Sequence, residues 1–417
     1  MYSTDKKWAS DADAEDPLRL FRDRFLFPKH RGSDVVYLCG NSLGLQPKTT
    51  RAYLDQELKD WENLGVEGHF HAKHPWMPYH EFLTDQTARL VGALPSEVVV
   101  MNSLTVNLHL MMVSFYRPTK ERFKIVIEKH AFPSDQYAVK SQIRFHGLDP
   151  ETALLEVGPR DGESIIRTED VESLIKKEGK AIALVLFGGV NYYSGQAFEM
   201  NRITKAAHAE GSLVGFDLAH AAGNLTLQLH DWDTDFAVWC TYKYLNSGPG
   251  GIAGCFVHER HIKDPSVHRM AGWWGHDKST RFFMGPDFQP IPSAEGWQLS
   301  NPPIFQLAAL RASLDIFDEA GMENLRAKSK KLTGYLEFLI RQSSRKDIEI
   351  ITPGDPEQRG CQLSLRIPAG GKILFEKLSK NGVVCDWREP DVIRVAPAPL
   401  YNSFGDVYRF YEVLEQI

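Results

Sequence analysis

Gly215-Phe216-Asp217-Leu218-Ala219-His220 and, further on, Trp239-Cys240-Thr241-Tyr242-Lys243-Tyr244-Leu245-Asn246 decide how this chain is read. Each is an apolar run that ends on a chemically capable side chain, an acid at Asp217 and a lysine at Lys243. Gly248-Pro249-Gly250-Gly251 turns the chain directly afterwards. In an open α/β sheet, ligands collect beyond the carboxyl ends of the strands. With strands over residues 213–217 and 236–240, both side chains stand at such ends. Taken alone, an aspartate there is most often a cap, and a lone lysine is most often a solvated surface group. This lysine sits between Tyr242 and Tyr244, after an apolar strand and before glycines. Burial and neighbouring cations lower a lysine pKa and favour Schiff-base chemistry. The two residues together are read as functional.

Working outward, the chain alternates between strand and helix. Near-continuous apolar runs at 98–102, 124–128, 181–187, 213–217, 236–240 and 252–258 read as strands buried on both faces. Helical patterns at 47–64, 81–91, 106–114, 133–143, 168–178 and 200–210 separate them. The order implies an α/β fold with a mostly parallel sheet flanked by helices. Residues 1–35 read as an arm with a short helix near 18–27, and 65–78 as a His/Gly/Pro-rich loop. Beyond residue 300, a broken helical stretch from 303 to 342 precedes strands near 348–352, 361–367, 383–386 and 393–395. Helices are expected near 373–381 and 404–416. This reads as a smaller C-terminal α+β domain. The expected division is 1–64 (arm and helices), 65–300 (large domain) and 301–417 (small domain).

The chain has 417 residues and a formal net charge of -6. No basic block stands out, which argues against a nucleic-acid partner. No apolar stretch approaches the ~20 residues needed to span a bilayer, so no membrane role is expected. The five cysteines are widely spaced and include no CxxC, which fits reduced thiols in a cytoplasmic protein. The polar, acidic N-terminal segment resembles neither a signal nor a transit peptide.

An acid that holds a ring nitrogen protonated and a lysine that condenses with an aldehyde are what pyridoxal 5'-phosphate (PLP) requires of a protein. The flanking segments narrow the reading. Gly40-Asn41-Ser42-Leu43-Gly44, Leu104-Thr105-Val106-Asn107-Leu108-His109, Phe132-Pro133-Ser134-Asp135, Asp217-Leu218-Ala219-His220, Tyr242-Lys243-Tyr244-Leu245-Asn246, Gly272-Trp273-Trp274-Gly275-His276, Ser300-Asn301-Pro302-Pro303 and Arg394-Val395-Ala396-Pro397 resemble kynureninase, in that family's order. The likeness spans roughly residues 35–415. It implies PLP fold type I, with a mostly parallel seven-stranded sheet in the large domain. It also implies hydrolytic Cβ–Cγ cleavage of L-kynurenine or 3-hydroxy-L-kynurenine. The products are anthranilate or 3-hydroxyanthranilate plus L-alanine, in tryptophan catabolism and de novo NAD biosynthesis.

The resemblance also implies roles for individual residues. Lys243 carries the cofactor and moves the substrate's α-proton, and Tyr242 reaches the phosphate and acts as acid or base. Asp217 pairs with the ring nitrogen, Phe132 stacks on the ring, and Ser134, Asp135 and His220 line it. Leu104 and Thr105 hold the phosphate at a helix N-terminus. Trp273 and Asn301 complete that site from the partner subunit, so the active unit is a homodimer with shared sites. Arg394 takes the substrate α-carboxylate. His69 and the Ser300-Asn301 pair lie near the aromatic ring, as in the animal and fungal enzymes, and His276 contributes to the same wall. That set implies a preference for 3-hydroxykynurenine, since a site built for a hydroxyl discriminates against its absence. One position departs from the animal pattern: Gly188-Gly189 stands where a serine precedes the glycine, and Gly188 is therefore not counted in the site.

Three other motifs are set aside. Gly40-Asn41-Ser42-Leu43-Gly44 fits the GxSxG nucleophile elbow, but only one short strand precedes it and no helix follows directly. Gly248-Pro249-Gly250-Gly251-Ile252-Ala253 fits a relaxed dinucleotide pattern, but a strand follows it. His69-Phe70-His71-Ala72-Lys73-His74 lacks a carboxylate or thiol and contains a repelling lysine, so no metal is assigned. A cysteine desulfurase or aminotransferase of the same fold stays open at this point. A desulfurase needs a mobile exposed cysteine; Cys361, at the head of an alternating strand, is expected to be buried. A serine hydrolase built on Ser42 would be labelled by a fluorophosphonate, and a catalytically dead binding protein has no need of both Lys243 and Asp217.

Overall fold

Seven runs rich in β-branched and aromatic residues form the central sheet: Val98–Val100 (β1), Lys124–Glu128 (β2), Leu154–Val157 (β3), Ile182–Gly188 (β4), Leu213–Asp217 (β5), Phe236–Cys240 (β6) and Ala253–Val257 (β7). The computed structural model describes all residues, 1–417. Strand order is β1-β7-β6-β5-β4-β2-β3. The pairs β6–β5, β5–β4, β4–β2 and β2–β3 are parallel, and β7 alone runs against its neighbours. In the register Asp217 lies opposite Gly188 on β4 and Val238 on β6. The functional acid therefore closes the carboxyl edge of a central strand.

The sheet is buried on both faces. Val126, Val185, Phe187, Val214, Phe216, Ala237 and Trp239 join one core. The alternate residues Ile125, Ile127, Leu184, Leu186, Phe236 and Val238 join the other. This is the period-2 geometry of strands covered by helices on each side. It explains why these strands are apolar throughout. Strand β3 is the one sequence reading misses: Leu-Leu-Glu-Val sits at the sheet edge, half exposed, with too little apolar pattern to declare itself.

The N-terminal arm differs from expectation. Its helix is Lys6–Glu15 (α1), capped by Asp5, whose side chain accepts from the Lys7 N–H. Residues Arg19–Arg24 form only a 3-10 turn in place of the helix expected near 18–27. Trp8 packs on Tyr335 and edge-on against Phe404, and that tertiary contact holds an otherwise polar helix. The helix expected from residue 47 begins at Thr50 and ends at Leu64 (α2), because Gln46–Pro47 pairs with Phe25–Leu26. The loop expected over 65–78 holds one helical turn, Gly68–His71.

The broken helix beyond residue 300 resolves into two. Gly321, at φ 74, separates Ile304–Ala320 from Met322–Gln342. The first buries Leu307, Leu310, Leu314 and Phe317 in the large-domain core. The second joins a separate core with Ala9, Val36, Leu38, Leu363, Val395 and Phe410. Val36–Tyr37 even pairs in parallel with Val383–Val384. We propose domain limits that follow these cores: helix α1, Val36 and Leu38 go with the C-terminal unit, which begins at Gly321, while Leu18, Phe25 and Val35 of the arm lie in the large-domain core.

At the opposite edge of the sheet, the side chain of Asp235 is 1% exposed. It accepts from Val214 N (2.6 Å), His208 Nε2 (2.9 Å), His261 Nε2 (2.7 Å) and Arg260 Nη2 (2.6 Å). Burial, the largest single effect, pushes its pKa up. The two histidine bonds and the Arg260 charge outweigh it and hold the carboxyl well below the usual range. A depressed folded-state pKa stabilises the fold above the unfolded value near ~4 and loses that contribution as pH falls below it. Asp235→Ala is expected to cost about 3–5 kcal/mol at neutral pH, read as a lower urea midpoint. The gap from wild type should narrow below pH ~4; coincident midpoints at neutral pH would contradict this account.

Candidate active site

The carboxyl ends of β2, β4 and β5 bring Glu128, Gly188 and Asp217 to one groove. The turn after β6 adds Tyr242 and Lys243. Leu104 and Thr105 enter from the N-terminus of helix Leu104–Phe115 (α3). Phe132, Ser134 and Asp135 enter from the start of helix Pro133–Phe145, and His220 from the turn after β5. Apart from Glu128 and Gly188, these are residues derived from the sequence, and they converge within one chain.

Lys243 Nζ lies 3.0 Å from His220 Nε2 and 5.8 Å from the centroid of the Phe132 ring. Burial pushes the His220 pKa well below its ordinary value, and the charges of Lys243, Arg394 and Arg388 push it the same way. The imidazole is therefore neutral and accepts from the lysine. Its Nδ1 is buried without a partner.

Three carboxyl groups meet behind the lysine. Asp217 Oδ1 accepts from Ala219 N at 2.7 Å. Burial raises Asp135 far above the usual range, and the neighbouring charges of Asp217 and Glu128 add to the effect. Burial raises Asp217 too, but the Ala219 N–H and the Lys243 charge oppose it. The proton shared between them belongs on Asp135, which donates to Asp217 and leaves Asp217 the anion. Glu128, fully buried, accepts from Gly188 N with both oxygens (3.2 and 3.1 Å), and burial pushes its pKa up to about 7. Sequence reading missed Glu128. The signal was present, since it ends an apolar strand just as Asp217 does.

Helix α3 opens at Ser103 with no side-chain cap. Asn107 N to Ser103 O is the first bond of the helix, so the N–H groups of Leu104 and Thr105, which line the groove, have no helical partner. An uncapped helix N-terminus beside a threonine hydroxyl suits a phosphate. Together with a buried anion for a pyridinium nitrogen and a lysine for an aldehyde, the residues present fit PLP. Burial, with Cys240 beside it, raises the Tyr242 phenol, so it keeps its proton at neutral pH.

Arg394 is 1% exposed. Asp386 accepts from its Nη2 at 2.7 Å and its Nε at 3.3 Å, and the Tyr192 carbonyl accepts from Nη1 at 2.9 Å. The guanidinium is thus pre-oriented with donors to spare. Neither Asp386 nor Tyr192 was legible beforehand, because their roles arise only where the small domain meets the loop after β4.

The remaining sequence-derived residues lie elsewhere in the chain. His69 is half-buried, bonded through Nδ1 to Val66 O and edge-on against Trp76. Trp273 and His276 line a different cleft of about 310 Å3 with Arg281 and Phe288. Ser300 and Asn301 are exposed. None of these five reaches the Lys243 groove from its own chain.

The rejected motifs find other uses. Ser42 is followed by α2 only at Thr50, so no nucleophile elbow forms. Gly44 instead presses on the lysine turn: its N–H donates to Tyr242 O, and a Cβ there would lie 2.4 Å from Lys243 O. His69, His71 and His74 diverge to Val66, Glu67 and Tyr79. Cys361 is fully buried, and burial pushes its thiol up to about 12, the opposite of what a desulfurase nucleophile needs.

A doubly covered, mostly parallel sheet with a lysine and an aspartate at adjacent strand ends defines a PLP-dependent enzyme of fold type I. A cysteine desulfurase from Thermococcus onnurineus NA1 superposes with a TM-score of 0.74 at 17% identity, over 98% of this chain and 97% of its own, which shows the fold alone. Residues 325–414 match the model of the kynureninase C-terminal domain. The kynureninase of Koribacter versatilis is 64% identical over 99% of this chain and 97% of its own length. That of Myxococcus xanthus is 61% identical over 100% and 98%. The chain belongs to the kynureninase family and is a PLP-dependent hydrolase of carbon–carbon bonds that cleaves kynurenine.

Proposed function

We propose that this chain prefers 3-hydroxy-L-kynurenine over L-kynurenine and releases 3-hydroxyanthranilate and L-alanine. We place it in the cytoplasm, in tryptophan breakdown toward NAD, as a homodimer with shared sites. The observation that carries the catalytic assignment is the convergence of Lys243, His220, Asp217 and the uncapped start of α3 on one groove.

Bound PLP supplies an electron sink for carbanionic character at Cα and then at Cβ of the substrate. Arg394, held by Asp386 and Tyr192, takes the α-carboxylate in a bidentate grip. Lys243 Nζ, in contact with neutral His220, removes the Cα proton. Tyr242, protonated at neutral pH, would give its proton to the side-chain ketone oxygen as water adds and regain one from that water; it would then take a hydroxyl proton of the hydrate as the Cβ–Cγ bond breaks with its electron pair on Cβ, and return that proton to Cβ. Asp217 stays anionic because Asp135 holds the shared proton. Phe132 closes one face of the groove and limits water there.

Trp273, His276, Ser300, Asn301 and His69 do not line their own chain's groove. That placement supports a dimer in which they complete the neighbour's site. No helix is long and apolar enough to cross a membrane. The preference rests on His69 and Asn301 as hydrogen-bonding groups for the extra hydroxyl. Comparing kcat/KM for the two kynurenines should favour the hydroxylated one by ~10-fold or more. Equal values, or a preference for L-kynurenine, would remove this reading.

A further inference from the structure

Glu128 closes β2 at its carboxyl end and lines the groove together with Asp217 and Lys243. It is 4% exposed. Its carboxylate is answered only by backbone N–H groups, that of Gly188 (3.2 and 3.1 Å) and its own. A buried carboxylate without a cation is costly to keep. Gly188 makes room for it, since a Cβ there would stand 2.8 Å from Glu128 Oε1. Gly188 also lies opposite Asp217 in the parallel register, and Gly189 N donates to Asp217 O at 2.7 Å. Glu128 therefore grips the stretch of backbone beside which Asp217 is set.

The titratable groups that line the groove with Glu128 come from several elements. Asp217 ends β5, His220 follows it, Asp135 opens the helix Pro133–Phe145, Tyr192 follows β4, and Tyr242 and Lys243 follow β6. Burial keeps His220 and Tyr242 uncharged at neutral pH. Lys243 is the one cation in this lining. Burial pushes Glu128 up to about 7; the two N–H groups pull against that, and the Asp217 charge adds to it. Asp217 is already an anion at neutral pH, and Asp135 already holds the shared proton. Glu128 is thus the carboxyl of the three whose charge changes near neutral pH. When ionised it joins Asp217 in raising Asp135.

We propose that Glu128 is a positioning residue of the cofactor site: it fixes the end of β4 beside Asp217 and adds a second buried negative charge to the groove. This rests on the assignment of Lys243 and Asp217 to the cofactor. A charge in a buried groove is weakly screened and acts strongly on its neighbours. The Glu128 anion favours the protonated form of the chromophore that Lys243 makes with the cofactor, and it helps keep the shared proton on Asp135. Below about pH 7 Glu128 is neutral, like a glutamine, and this support is absent; above that pH it is present.

Glu128→Gln keeps an oxygen for the Gly188 N–H and removes the charge. The test is the visible absorption of the holoenzyme, titrated between pH ~6 and ~9, with kcat/KM measured alongside. At pH ~6 the variant and wild type should coincide, because residue 128 is neutral in both. Above pH ~7 the variant should lose the protonated, long-wavelength band at lower pH than wild type, and its kcat/KM at pH ~8 should be ~3-fold or more lower. Identical titrations overturn the proposal. So does a difference of the same size at every pH, which would mark a purely structural role. Borohydride labelling of residue 243 separates this from failure of the cofactor assignment: a labelled wild type with identical titrations removes the role of Glu128 alone, and an unlabelled wild type removes both. Should Glu128→Gln fail to fold, Gly188→Ala, which crowds the same carboxylate off its N–H, is expected to move the band in the same direction, and an unmoved band then overturns the proposal.

Discussion

Replacing Lys243 with alanine is expected to lower kcat by ~10^4-fold or more while leaving the fold intact. The structural loss is modest. Lys243 Nζ contacts His220 Nε2 and the Phe132 ring, and no carboxylate bridges it. Its charge also helps to answer the buried Asp217 anion, so its removal costs about 1–3 kcal/mol, read as a shift in urea midpoint. The chemical loss is large, because the same nitrogen anchors the cofactor and moves the Cα proton. Borohydride treatment followed by peptide mass analysis gives a readout that does not depend on turnover. The wild-type chain should retain the cofactor on the peptide containing residue 243, and Lys243→Ala should retain none. If the variant still fixes the cofactor, or keeps kcat within ~10-fold, the lysine assignment is wrong.

Much of this site could be read from strand ends alone. Asp217 and Lys243 announce themselves because each closes an apolar run, and the sheet puts both runs side by side. The phosphate end is legible for a related reason, since Leu104 and Thr105 follow a strand and open a helix. Glu128 obeys the same rule and was passed over, because Lys124-Ile125-Val126-Ile127-Glu128 reads as a strand that simply ends in a polar residue. Its meaning depends on Gly188, which arrives from a strand paired beside it. Asp386 and Tyr192 lie beyond sequence reasoning of this kind. They matter only through Arg394, and three separate segments must meet before that contact exists. The arm shows the same limit. Lys6–Glu15 has a polar sequence, and its helix depends on Trp8 reaching Tyr335 from the far end of the chain.

Asp217→Asn is expected to cost on the order of 10^3-fold in kcat/KM, ~4 kcal/mol of transition-state stabilisation. The carboxylate occupies a fully buried position at the carboxyl end of β5, where an anion is costly unless something answers it. Two things do within the chain, the Ala219 N–H and the Lys243 charge, while Asp135 keeps the proton that the pair would otherwise contest. A cofactor nitrogen placed against Asp217 completes this arrangement and stays protonated because of it. Asparagine is nearly the same size and still accepts from Ala219, so packing is preserved while the charge is lost. The change also removes the anion that raises Asp135, so the pH profile should move as well as the rate. Asp217→Glu, which restores the charge with a longer reach, should recover part of the loss. A variant within ~3-fold of wild type, or an Asp217→Glu chain no better than Asp217→Asn, would show that the charge at this strand end does not set the electronics of the site.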